Sequence, residues 1–296
     1  MQYINILFLA IIIGLQFSSC KSHSQDAGDN KTFCFSINNK KYVLVKERKN
    51  WEDAAACAIK RSGYLAEIND VYEQTAMFNA LMESSVSPTY CPVNDGGGTS
   101  YIWIGATDKD NEGLWIWDGN NDGSGITFWK GQGAAGSNNG TAEENSFVFW
   151  GGASAGKYNE PDDFNTNQDA AAIALAGWPG GSDRLGAAGE WNDIKGSNEL
   201  YFLIETDSLI SSKSSENNPI IIDTGHKPCK DTLFLNTSKK ITGIKVYNAK
   251  GILLHDYENQ ITSGAAIDIS YLDSGRYFLL IIGTENSYYT FEFSKE

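Results

Sequence analysis

A formal net charge of −14 over 296 residues argues against nucleic acid and anionic membrane surfaces as partners; it suits a soluble protein or one that gathers cations. The length allows two domains, and eight tryptophans supply a sizeable core. Only His23, His226 and His255 carry an imidazole, which weighs against histidine-based catalysis in the middle of the chain.

Residues 4–15 are nearly all apolar and short for a membrane span, so they predict an export signal. Phe17, Ser18, Ser19 and Cys20 follow and resemble a bacterial lipoprotein box, which implies cleavage and lipidation at Cys20. Against that, residues 1–6 contain no Lys or Arg; the alternative is an ordinary cleaved signal with Cys20 incidental. Either way the protein is expected outside the cytoplasm, where disulfides persist. A lipid on Cys20 would be its membrane attachment. Residues 21–31 read as a polar linker.

A first strand is expected at residues 42–45. Asn50 and Asp53 form a capping pair that predicts a helix over 51–60, with Gly63 as its stop. Asp70 and Glu73 repeat the pattern for a second helix ending near Met82, with Met77, Phe78 and Leu81 facing the core. Strands are expected at 101–106, 114–118, 126–129, 170–175 and 200–205, separated by Gly- and Asn-rich loops. Residues 207–219 read as a Ser-rich linker. Short β runs follow at 232–235, 241–247, 252–255, 266–269, 277–282 and 288–293, a spacing that predicts a small β-sandwich. The expected divisions are 1–20, 21–31, 32–206, 207–219 and 220–296.

Oxygen side chains crowd residues 159–169, where Glu160, Asp162, Asp163, Asn165, Asn167, Gln168 and Asp169 surround Pro161. Asn192 and Asp193 offer an amide and a carboxylate from a second segment. Calcium takes roughly six to eight oxygen ligands in irregular geometry, so two such segments suit it. A solvated acidic loop is the bland alternative. Asp118, Asn120, Asp122 and Gly123 match half of a calcium loop, but Trp129 stands where the closing glutamate belongs. A glycine pattern at 131–136 has no helix after it and is not a nucleotide site. Trp178 could offer a ring to a sugar, although burial suits it better.

Six short motifs fall in register: Trp103-Ile104-Gly105, Thr107-Asp108, Glu112-Gly113, Glu160-Pro161-Asp162, Trp191-Asn192-Asp193 and residues 201–205. With them, the region 33–206 resembles a C-type lectin-like domain. The resemblance implies an α+β fold with a long calcium-binding loop, and a small all-β C-terminal sandwich follows it. It implies calcium held by Glu160, Asp162, Gln168, Asn192 and Asp193, with Pro161 in cis. Asp162 and Gln168 exchange the family's amide and carboxylate, so the set keeps three carboxylates and two amides. Glu160, Asp162, Gln168 and Asn192 would also bond the sugar, leaning to mannose-like ligands. An auxiliary ion is implied at Asp108, Glu112, Asp163 and Asp169. Ile204 replaces the usual partner of Cys57, which leaves new bridges between Cys34 and Cys57 or Cys57 and Cys91, or free thiols.

The C-terminal region resembles a type IX secretion sorting domain, through residues 227–233, Lys245-Val246-Tyr247-Asn248 with Gly251, and Ile267-Asp268-Ile269 with Leu272, Gly275 and Tyr277. That implies handling by secretion machinery, release or display at a cell surface, and a Bacteroidetes-type host. Three functions follow for comparison. A calcium-dependent lectin at the surface explains the donor set. A non-sugar adhesion module, binding protein or another surface, is the alternative. Catalysis is not expected, because neither Cys57 nor Cys91 has a neighbouring histidine in sequence to activate it.

Overall fold

The computed structural model describes residues 31–206 except 39, and 221–296 except 224–230, 238, 250, 259–264 and 285. The export signal, Cys20, residues 21–30 of the first linker, the linker 207–219, His226 and Cys229 lie outside the described residues. In chain order the elements begin with β1 (Thr32–Ile37), β2 (Lys40–Lys49), α1 (Trp51–Lys60), β3 (Tyr64–Leu65) and α2 (Val71–Glu83). Next come β4 (Tyr101–Thr107), β5 (Leu114–Trp117), β6 (Ile126–Lys130), β7 (Thr141–Ala142), β8 (Ala170–Ala174), β9 (Trp191–Ile194) and β10 (Leu200–Thr206). The C-terminal unit holds β11 (Ile221–Asp223), β12 (Thr232–Asn236), β13 (Ile241–Asn248), β14 (Leu253–Glu258), β15 (Ala266–Asp268), β16 (Gly275–Gly283) and β17 (Ser287–Lys295).

Both helices start where their caps predict. The Asp53 amide donates to Asn50 Oδ1 at 2.7 Å, and the Glu73 amide to Asp70 Oδ1 at 2.7 Å. Ala54, Ala55 and Ala58 are fully buried, so α1 lies close to the sheet. Its end differs from expectation. Arg61 caps the helix and Ser62, not Gly63, takes the left-handed conformation, at φ 59°. Gly63 is needed for space instead, because a Cβ there would collide with the Glu205 carbonyl oxygen. Met77 and Leu81 are fully buried as expected, and Phe78 is half-buried.

Besides the short β3, β7 and β11, two strands escape the sequence reading. The chain's first strand is β1, before the one expected at 42–45, and it pairs antiparallel with β2. The other is β9, which contains the Trp191-Asn192-Asp193 motif and is buried along its whole length. It pairs with β8, which pairs with β4. The long sheet runs β14-β13-β16-β17-β1-β2-β10-β4-β5-β6-β7, so it passes through both halves of the chain. The crossing point is a parallel pairing of Ser36 with Ser287 and Ile37 with Tyr288. A second sheet, β11-β12-β15, closes the C-terminal sandwich. Leu233, Leu235 and Ile267 there meet Ile244, Val246, Leu279 and Ile281 in a separate core.

Cys57 and Cys91 are free, so neither replacement bridge involving them forms. Cys34 is disulfide-bonded.

Candidate metal centre

Strand β9 fixes one side of the centre. Its register sets Asn192 opposite Ala172 and Asp193 opposite Ala171, small neighbours that leave room for the loop. Asp193 is 0% exposed, and its carboxylate accepts the Asp162 amide at 3.0 Å and the Asp163 amide at 2.7 Å. This pins a loop in which Asp163, Asn165 and Thr166 all hold positive φ. The Glu160–Pro161 peptide is cis, as the resemblance implied.

Glu160 supplies the orphan. Its Oε1 accepts the Trp178 indole N–H at 3.1 Å, whereas its buried Oε2 has no partner. Glu160, Asp162 and Asp193 bring carboxylate oxygens within 4.8 Å of one another. Burial, with Asp193 and Asp162 beside it, holds the Glu160 carboxyl well above its ordinary range. Burial and the charge of Asp162 do the same to Asp193, and burial raises Asp162. Among the described residues no Lys or Arg pairs with any of the three. Crowded carboxylates of this kind either keep protons or take a cation. The all-oxygen donor set fits a hard divalent ion such as calcium.

The two amides are already engaged. Gln168 accepts the Phe164 amide on Oε1 at 2.6 Å and donates from Nε2 to the Asp95 carbonyl at 3.0 Å. Asn192 donates from Nδ2 to the Tyr101 hydroxyl at 2.9 Å. Each therefore braces the loop or the sheet, and Gln168 keeps one amide hydrogen at most for any ligand.

A second group gathers Asp108, Glu112 and Asp169, again with oxygens within 4.8 Å. Asp108 Oδ2 accepts the Gly113 amide at 2.9 Å, and its buried Oδ1 has no partner. Burial, then the charges of Glu112, Asp193 and Asp169, push Asp108 up to about 8. Asp163 stands between the groups instead of joining this one. Its backbone amide goes to Asp193 and its Oδ1 accepts the Gln168 backbone amide; burial, and then the charge of Asp163, raise both Glu112 and Asp169.

Other residues have roles that the sequence reading did not assign. Glu190, 1% exposed, accepts the amides of Gly152, Ser154 and Ala187, stapling the loop before the tripeptide to β9. A lone glutamate before the Trp191 motif gives no sequence signal of that. Asp95 accepts from the Lys195 amide and the Asn198 side chain, from inside a Gly-rich loop read only as connection. Asp118 caps its own turn, through the Asp122 and Gly123 amides. Trp178 is 1% exposed, so its ring is core and not a stacking platform.

Two helices thus lie against a strand-rich sheet, with an acid-lined loop pinned by a buried strand. Residues 47–168 match the family of the Lectin C-type domain, and residues 227–291 match the Secretion system C-terminal sorting domain. The chain thus carries a C-type lectin-like domain followed by a type IX secretion sorting domain. Among solved structures, the carbohydrate-recognition domain of the mouse scavenger receptor C-type lectin is 21% identical, with a TM-score of 0.36, over 58% of this chain and 92% of that one. Human lithostathine is 17% identical, with a TM-score of 0.36, over 60% of this chain and 98% of that one. A calcium-independent type II antifreeze protein is 13% identical, with a TM-score of 0.35, over 62% and 98%. No curated protein matches the chain.

Proposed function

We propose that this protein is a calcium-dependent carbohydrate-binding module, exported and held at or released from a bacterial surface. The observation that supports it most is the unpartnered, buried Glu160 Oε2, set among two further carboxylates. Glu160, Asp162 and Asp193 hold the ion, and the Asp108 group takes a second one. Calcium, when bound, supplies a coordination centre for neighbouring sugar hydroxyls. Asp162 is the member of the set that is not buried, so a sugar reaches the site from its side. With the Gln168 and Asn192 amides committed to the protein, hydrogen-bond selectivity is low, leaning to mannose-like sugars through Glu160.

Burial supports a second reading. Glu160, Gln168, Asn192 and Asp193 are each no more than 3% exposed, which suits an ion that holds the loop in shape while the domain binds a non-sugar partner. Calorimetry with mannose and galactose, in calcium and then in excess chelator, separates the two. Chelator-sensitive heat with a sugar supports the lectin. Calcium binding without sugar heat supports the structural ion. Sugar heat that survives chelation overturns both.

We assign residues 32–206 to the lectin-like domain and 220–296 to sorting, with secretion machinery as the partner of the latter. Lipidation at Cys20 completes the proposal. Mass spectrometry of the protein from its own host checks it: a mature chain that begins at Cys20 and carries acyl mass supports it, and an unmodified N-terminus overturns it. Among the described residues no helix is long and apolar enough to cross a membrane.

A further inference from the structure

Strands of a one-faced sandwich sheet alternate apolar and polar residues, whereas strands buried on both faces read as continuous apolar runs. β16 is of the second kind, with Phe278, Leu279, Leu280 and Ile281 all at most 1% exposed. Leu279 and Ile281 face the sandwich's own core, with Ile244 and Val246 from β13. Phe278 and Leu280 face the other way, with Tyr247 and Tyr288, and there they join the core cluster that holds Met77 and Leu81.

Helix α2 is what covers them. The Tyr72 ring meets Phe278 edge-on at 4.5 Å. Asn79 donates to the Tyr247 hydroxyl at 2.9 Å and accepts from Lys245 Nζ at 3.1 Å. Tyr288 donates its hydroxyl to Glu83 Oε2 at 2.7 Å. At the sheet, the Ser36 amide bonds the Asn286 carbonyl at 3.0 Å. Asn38 exchanges two bonds with Thr290, at 2.7 and 3.1 Å. Asn286 Nδ2 reaches the Cys34 carbonyl at 3.1 Å. A freely tethered tag would leave the Tyr247, Phe278 and Tyr288 rings in water and these polar groups to solvent.

We infer that α2 and β1 form a docking surface for the C-terminal sandwich of the same chain, so that the two halves unfold as one cooperative body. This holds whether or not the carboxylates bind calcium.

The chain contains its own reporter. All eight tryptophans lie between Trp51 and Trp191, so their fluorescence follows the lectin-like domain alone. In the intact protein, Phe278→Ala in the C-terminal unit should lower the tryptophan-detected melting temperature by roughly 5 °C or more. Tyr288→Phe, which removes only the hydroxyl to Glu83, should lower it less. A tethered unit predicts no tryptophan shift in either variant, even if Phe278→Ala unfolds the sandwich. As a second measurement, the intact chain is given a protease site within 207–219, folded, cut, and passed over gel filtration in reductant. Co-elution of the pieces supports docking. An unmoved tryptophan midpoint in Phe278→Ala, or separation of the folded pieces, overturns it.

Discussion

Asp193 has two jobs, and Asp193→Ala removes both. It offers a ligand oxygen, and it ties down the Asp162 and Asp163 amides. Asp193→Ala should abolish calcium binding at the Glu160 group, seen by calorimetry as the loss of that ion while the Asp108 group still takes one. Asp162→Asn should keep the ion, lower its affinity and sharpen the preference for mannose over galactose. Protons compete for the same oxygens: with Asp108 raised to about 8, calcium must displace a proton near neutrality. Binding should therefore release protons, and affinity should fall as pH drops below about 8. Titration in buffers of differing ionisation enthalpy measures the number released; none released would contradict the raised carboxyls. Elsewhere, burial and then the Glu205 charge push Glu67 up to about 7 from an ordinary 4.5. A raised acid favours the protonated fold, so its contribution is complete below the ordinary value and is lost as pH rises through about 7. Glu67→Gln should flatten that loss, seen as a smaller change in urea midpoint between about pH 5 and about pH 8. Of Cys34, Cys57 and Cys91, only the last two should react with a thiol reagent after unfolding without reductant.

Among the elements, the helices were the most legible. Each announces itself by a cap and a residue three later, a local signal that needs no tertiary help. Asn50→Ala should cost about 1 kcal/mol by denaturant titration. Gly63→Ala should cost more, because the Glu205 backbone cannot move aside from the collision. Apart from β11, the strands of the C-terminal unit were also legible, since turn residues punctuate them. β1 was not, although its main partner is β2, the next strand along the chain; only its minor partner β17 is distant. β9 was hidden differently, because its residues read as ligands and its burial comes from β8 and β4. At the site, the donor types and their two segments could be read from sequence. That Gln168 and Asn192 turn inward to Asp95 and Tyr101 depends on loops with no periodicity to reveal it.

For the whole molecule, a chain ended at residue 206 should stay in the periplasm if 220–296 directs sorting; its arrival at the surface in normal amount would remove that assignment. With α2 covered by Tyr247, Phe278 and Tyr288, such a truncation uncovers Tyr72 and Phe35, and the shortened domain should melt earlier. Continuity of the sheet gives the protein a line of force as well. A pull between a partner gripped at the acidic loop and an anchor on the C-terminal unit runs through β10, β2 and β1 into β17. Six residue pairs join β1 to β2, and two join β1 to β17. Under tension the two-pair joint is backed by the α2 contacts to Tyr247, Phe278 and Tyr288, so a load that opens it also strips the cover from the lectin-like core.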